Sequence, residues 1–158
     1  MPGLDIRVAC MDDREHLIEI QRRASLAIAG EEVRRELLDN PGIIDLDPGM
    51  IARNEVFVAE IDEHAVGFAA IIAHEGNDAE VDGIFVEPSH WRRGIGMALL
   101  HQLEREARAW NATRLHVVAN VEAEPFYAAA GFVTTGERQM PFGPNALLMV
   151  KVATAASR

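Results

Sequence analysis

Between residues 55 and 110 the chain changes its hydrophobic period from two to that of a helix. EVFVAEI and AVGFAAIIA, joined by Asp62, Glu63 and His64, are two β-rich runs across three polar residues, the pattern of a hairpin. AEVDGIFVEP reads as a third strand that stops at Pro88. An apolar helical run follows at once, from about Gly94 to Trp110, with Leu99, Leu100, Leu103 and Ala107 on its inner face. Gln102, Glu104, Arg105 and Arg108 are expected to face water.

The same alternation extends to both sides. Residues 5–9 read as a short strand, and Asp12 or Asp13 stands where an N-cap would precede a helix carrying Leu17, Ile20 and Ala24 on one face. A second helix is expected over residues 31–40, with Val33 and Leu37 inward and Asn40, Pro41 and Gly42 ending it. RLHVVAN is a strand, EAEPFYAAA a short helix, and GFVTT and NALLMVKV the last two strands. No repeat or linker divides the sequence, so residues 1–153 are expected to form one domain, and residues 154–158 a frayed tail.

Composition narrows the function. At 158 residues, with 49% hydrophobic and 25% charged side chains, the chain can bury a core of its own. No apolar run approaches the ~20 residues of a membrane span, and no secretory signal is visible at the N-terminus. The expected compartment is the cytoplasm, with no membrane partner. The one cysteine, Cys10, excludes an internal disulfide and a cysteine metal cluster, and reads as a small buried hydrophobe. A net charge of -10 argues against nucleic-acid binding, which needs a basic face, but leaves room for one local cationic site. Six histidines are scattered without zinc-helix spacing, so no metal is expected, and His90 and His116 read as surface residues.

That local site is written in VEPSHWRRGIGMALL, residues 86–100. A helix start exposes unpaired backbone N–H groups and the positive end of the helix dipole, so a loop entering it from a strand suits an anion. Gly94 and Gly96 leave the backbone approachable, while Arg92 and Arg93 add fixed charge. The alternative is a tight turn flanked by solvated arginines. The dinucleotide fingerprint fits poorly, since Leu99 stands where its third glycine belongs. The P-loop ending is absent from a chain whose only lysine is Lys151.

The stretch resembles the cofactor motif of the GNAT superfamily of N-acyltransferases, Arg/Gln-x-x-Gly-x-Gly/Ala between a strand ending Val-x-Pro and a long helix. Here it stands as Val86-Glu87-Pro88, then Trp91-Arg92-Arg93-Gly94-Ile95-Gly96, with Trp91 in place of Arg or Gln. Asn120, then Ala123, Phe126-Tyr127 and Gly131-Phe132, is similar to the family's second motif. The resemblance covers residues 5–152. It implies an α/β (α+β) fold whose mixed, mostly antiparallel sheet splays open at the coenzyme A site and is flanked by helices.

The resemblance also implies roles. Acetyl-CoA would be the co-substrate. Ile84, Phe85 and Val86 would pair with the pantetheine arm, the amides of Trp91, Arg92, Arg93, Gly94, Ile95, Gly96 and Met97 would hold the pyrophosphate, and Asn120 and Tyr127 would complete the cofactor site. The backbone N–H near Val86 is the family's usual oxyanion donor, and Tyr127 matches its proton donor to the leaving sulfur. A phenol near pKa 10 can donate to a thiolate whose ordinary value is near 8.5 if the surroundings bring the two closer; the alternative is a ring that only packs. Glu80, six residues before Val86, is a candidate general base or a solvated strand-end charge, with Asp82 in reserve. The acceptor would be a primary amine, selected around residues 26–51 and 138–145, and the acidic balance favours a cationic one. A homodimer is a family-level expectation. An acyl-CoA sensor with this fold but no turnover, and a generic nucleotide-binding domain, are the competing readings.

Overall fold

The computed structural model describes residues 3–152, so the expected frayed tail lies outside the described residues. Seven strands form a sheet of order β1-β2-β3-β4-β5-β7-β6. The strands are β1 (Leu4–Val8), β2 (Val56–Ile61), β3 (His64–His74), β4 (Asp78–Val86), β5 (Arg114–Ala119), β6 (Val133–Arg138) and β7 (Ala146–Val152). The helices are α1 (Arg14–Ile28), α2 (Glu31–Asp39), α3 (Pro48–Ala52), α4 (Ile95–Ala109) and α5 (Glu124–Ala129). The sheet is open and mixed: β4 and β5 run parallel, whereas β1–β2, β2–β3, β5–β7 and β6–β7 are antiparallel. The β4–β5 ladder covers only residues 78–81 of β4, leaving residues 82–86 outside it. This is the α/β fold, mostly antiparallel and flanked by helices, that the resemblance implied.

The chain forms two compact units, which β3, β4 and α4 pass through. The first holds residues 3–70 and 84–102. Its core is built where the two periodicities meet: Val56, Val58 and Phe68 from the hairpin, Leu17 and Ile20 from α1, and Ile95, Leu99 and Leu100 from α4 are all at most 1% exposed. The β2–β3 hairpin turns on Asp62 and Glu63, both left-handed at φ 50° and 67°, as a two-residue turn matched to strand twist requires. Cys10 is exposed at the start of the turn preceding α1, which corrects its reading as a buried hydrophobe. The chain leaves β1 there, and the 3-10 turn at Met11–Asp13 draws Cys10 into a capping box with Asp13.

The second unit holds residues 71–83 and 103–152. Ala79, Val81, Leu115, Val117 and Met149 form one buried row across β4, β5 and β7, with Leu103 and Ala107 of α4 also buried. Glu104 does not face water as expected. Its carboxylate accepts a 2.6 Å bond from Lys151 Nζ of β7 and its side chain is only 12% exposed. Spacing along α4 gives no hint of a partner 47 residues away.

Candidate functional site

At the end of β4, Ile84, Phe85 and Val86 are apolar yet only half-buried, unlike the fully buried Ala79 and Val81 earlier in the strand. Phe85 packs its ring on Phe68 with centroids 5.3 Å apart. β3 lies close alongside: a Cβ on Gly67 would stand 2.9 Å from the Phe85 carbonyl oxygen, so glycine there lets the strands approach. The amide of Glu87 donates to Val66 O at 2.8 Å.

A 3-10 turn at Pro88–His90 then delivers the chain to Trp91. Arg92 and Gly94 both adopt left-handed backbone, φ 64° and 81°. Left-handed residues in a short loop tip successive N–H groups toward one side, the geometry of an anion nest. A Cβ on Gly94 would meet nothing within 4 Å, so the face of the loop at that residue is open. The first bond closing α4 runs from Ala98 N to Gly94 O, which leaves the amides of Ile95, Gly96 and Met97 without an intrahelical acceptor. Arg92 and Arg93 are exposed, and among the described residues neither is ion-paired, whereas Arg7, Arg14, Arg23 and Arg53 each are. Unpaired guanidiniums, free amides and an open approach fit a pyrophosphate.

Trp91, the departure from the family motif, has a partner that its spacing does not reveal. Its indole Nε1 donates to Val86 O at 2.7 Å. Glu87, just before the turn, accepts two bonds from Arg23 of α1, at 2.9 and 2.6 Å. The Arg23 guanidinium holds the Glu87 carboxyl below the usual carboxylate range against the opposing effect of burial.

In the second unit, Tyr127 is buried to 5% exposure. Phe126 and Phe132 meet its ring edge-on, with centroids 5.0 and 5.3 Å away. Among the described residues no buried side-chain oxygen or nitrogen is left unsatisfied. Burial pushes the phenol above its ordinary value of 10.0. In the chain alone this widens the gap to a thiolate instead of narrowing it.

Glu80 sits on the same face of β4 as Asp78 and Asp82, opposite the buried Ala79 and Val81. Its Oε1 lies 2.7 Å from His74 Nε2, a pairing across the β3–β4 turn that spacing from Val86 does not reveal. Asp78 is bound by Arg114 at 3.2 Å and approached by His116 at 3.4 Å, so His116 is tied to its own carboxylate. Asn120 uses its side-chain oxygen to cap the turn before α5, accepting from Ala123 N at 2.9 Å. Among the described residues there is no cluster of three or more metal-ligating side chains and no helix long and apolar enough to cross a membrane.

Comparison with known proteins gives a consistent picture. Residues 15–132 match the family described as acetyltransferase (GNAT) family. The chain is 33% identical over 90 residues to the uncharacterized N-acetyltransferase YafP of Escherichia coli (strain K12), covering 57% of this chain and 53% of that protein. It is 30% identical over 96 residues to an uncharacterized N-acetyltransferase of Mycobacterium tuberculosis (strain ATCC 25618 / H37Rv), covering 59% of this chain and 62% of the other. The alignments thus span little more than half the length of these relatives. Among solved structures, the PaiA N-acetyltransferase of Thermoplasma acidophilum in complex with coenzyme A superposes with a TM-score of 0.75 at 21% identity, covering 94% of this chain and 98% of that one. The ribosomal-protein-S18-alanine N-acetyltransferase of Escherichia coli superposes with a TM-score of 0.72 at 20% identity, covering 98% and 96%. At these identities the likeness shows a shared fold.

Proposed function

The chain belongs to the acetyltransferase (GNAT) family, and on that premise we propose that it is an N-acetyltransferase, moving the acetyl group of acetyl-CoA onto a primary amine. The observation that carries this reading is the loop at residues 91–97: helix-start amides without an intrahelical acceptor, two left-handed residues, and two arginines not ion-paired among the described residues, in a chain of net charge -10. PaiA, which superposes over nearly the whole chain, was solved with coenzyme A.

When bound, the thioester supplies an activated acyl carbon: the amine nitrogen forms the new C–N bond, the C–S bond breaks, and its electron pair leaves on sulfur. The chain's residues divide the remaining work. The amides and arginines of the loop hold the pyrophosphate, and the backbone of Ile84, Phe85 and Val86 pairs with the pantetheine arm. An amide near Val86 stabilises the charge on the carbonyl oxygen. Tyr127 offers its hydroxyl to the departing sulfur. Because burial keeps the phenol protonated beyond its ordinary range, it acts first as a hydrogen-bond donor and yields its proton only as the sulfur becomes basic. Glu80, paired with His74, takes the proton from the amine, with Asp82 as the reserve. With Tyr127, Asn120 contributes to the cofactor site, and its side-chain oxygen also caps the turn before α5. The acceptor is a cationic amine, favoured by the acidic balance of the chain.

Turnover of acetyl-CoA across a panel of polyamines, amino acids, peptide N-termini and lysine peptides tests the proposal. Thiol release that depends on one amine class supports it. Binding of acetyl-CoA without release for any amine would make the chain an acyl-CoA sensor, and preference for NAD over desulfo-CoA in thermal shift would remove the family reading of the loop.

A further inference from the structure

The peptide joining Val86 to Glu87 is held from three directions. Its carbonyl accepts from the Trp91 indole at 2.7 Å, and its amide donates to Val66 O of β3 at 2.8 Å. The Glu87 side chain, 17% exposed, is gripped by both nitrogens of the Arg23 fork. Trp91 is itself 39% exposed, so its ring is not placed there by burial in the core. Its main chain also closes on Pro88 O at 3.2 Å, so backbone and side chain together fold the turn at Pro88–His90 back onto the strand end. A phenylalanine at this position would keep a ring but have no N–H to donate to that carbonyl.

We infer that Trp91 is a positioning residue that fixes the strand end and the phosphate loop against each other before coenzyme A arrives, and that the Arg23–Glu87 pair extends this clamp to α1. The inference rests on the loop being the coenzyme A site. In a motif that elsewhere puts a cation or amide at this place, the chain replaces a contact to the ligand by a contact within itself. A loop already in its binding geometry loses less conformational freedom on binding. Left-handed Arg92, next in sequence, is strained unless its neighbours hold it, and the indole bond supplies that hold. The cation lost from the motif is offset by Arg92 and Arg93 beside it, neither of which is ion-paired among the described residues.

The test uses desulfo-CoA binding by calorimetry and hydrogen exchange at the Glu87 amide, neither of which needs the acceptor. Trp91→Phe keeps the ring and removes only the N–H donor. It should raise the desulfo-CoA dissociation constant about five- to tenfold, the larger figure being ~1.4 kcal/mol, and lower the protection of the Glu87 amide in the free protein. Protection of core amides, such as that of Val58, should stay as in wild type. Trp91→Arg, which keeps N–H donors and adds a charge beside Arg92 and Arg93, should show a steeper loss of affinity with salt. Arg23→Ala should reproduce the loss of protection at Glu87 through the other arm of the clamp. Unchanged Glu87 protection in Trp91→Phe, or unchanged affinity despite lost protection, overturns the inference. Failure of the wild-type chain to bind desulfo-CoA at all would instead overturn the function proposed above, a separable result.

Discussion

In the function proposed above, the loop that begins at Trp91 acts through main-chain groups, whereas the His74–Glu80 corner and Tyr127 act through single side-chain atoms. A backbone site is specified by where a strand stops, where a helix starts and which residues accept positive φ, all of them local properties. Gly94 at φ 81° and the unbonded amides of Ile95, Gly96 and Met97 follow from such local facts. A side-chain site depends on partners that arrive through tertiary structure. Glu80 is joined to His74 and Tyr127 is enclosed by Phe126 and Phe132. The first kind of site should therefore degrade gradually under substitution, and the second abruptly.

Tyr127 offers the largest effect. Tyr127→Phe keeps the edge-on ring packing and removes one hydroxyl, so turnover should fall about 10² to 10⁴-fold while acetyl-CoA affinity barely moves. Because burial raises the phenol's pKa, wild-type rate should show no basic limb from this residue near pH 10. Its stability, however, should decline above pH 10, where the unfolded phenol ionises and the folded one does not. Tyr127→Phe should be spared that decline in alkaline unfolding experiments. Full activity in the variant would show that another group protonates the sulfur.

Next comes the corner. If Glu80 accepts the amine proton, Glu80→Gln should lower kcat/KM about 10²-fold. His74→Gln should lower it less, since the carboxylate remains and only its partner is gone. Equal rates in wild type and Glu80→Gln at every pH would return the role to Asp82 or to water.

The loop itself should respond less. Gly94→Val places a branched side chain on left-handed backbone and in the open approach to the amides, so the acetyl-CoA dissociation constant should rise tenfold or more, about 1.4 kcal/mol. Calorimetry that finds unchanged affinity in a folded variant would remove the loop from the cofactor site.

The same division governs what could be read from residues alone. The strands, α1, α4 and α5 follow from periodicity, and Leu17, Ile20, Leu99, Leu100 and Leu103 are buried as their spacing requires. α3 went unread, although Asp47-Pro48 carried the signal: Pro48 opens the helix and the Asp47 carboxylate caps it by accepting from Gly49 N at 2.9 Å. Glu104, Glu80 and Trp91 could not be placed by spacing. Their partners, Lys151, His74 and the Val86 carbonyl, depend on how strands and turns come together. Cys10 was misread because a short apolar stretch does not show where a strand ends.

A baseline is needed for what a side-chain pairing contributes when no ligand is involved, and the Arg7–Asp13 pair supplies the smallest effect. Arg7 donates to both Asp13 oxygens at 2.8 Å and to Glu60 at 2.9 Å, tying β1 to the turn before α1 and to β2. The Arg7 guanidinium is the main reason the Asp13 carboxyl falls from 3.8 to about 2, with the Cys10 amide adding to it. A depressed carboxyl stabilises the fold fully above its unfolded pKa, and that contribution fades as pH drops from about 4 toward 2. Since the Arg7 side chain is 35% exposed, solvent screening reduces the contribution to about 1 kcal/mol. Asp13→Asn should therefore lower stability in urea by about that amount at pH 7, with the difference from wild type closing as the pH falls toward 2. A loss of the same size that persists at pH 2 would assign the effect to the capping box with Cys10 instead of to charge. Activity should be unaffected throughout, which is how this pairing differs from that of Glu80 with His74.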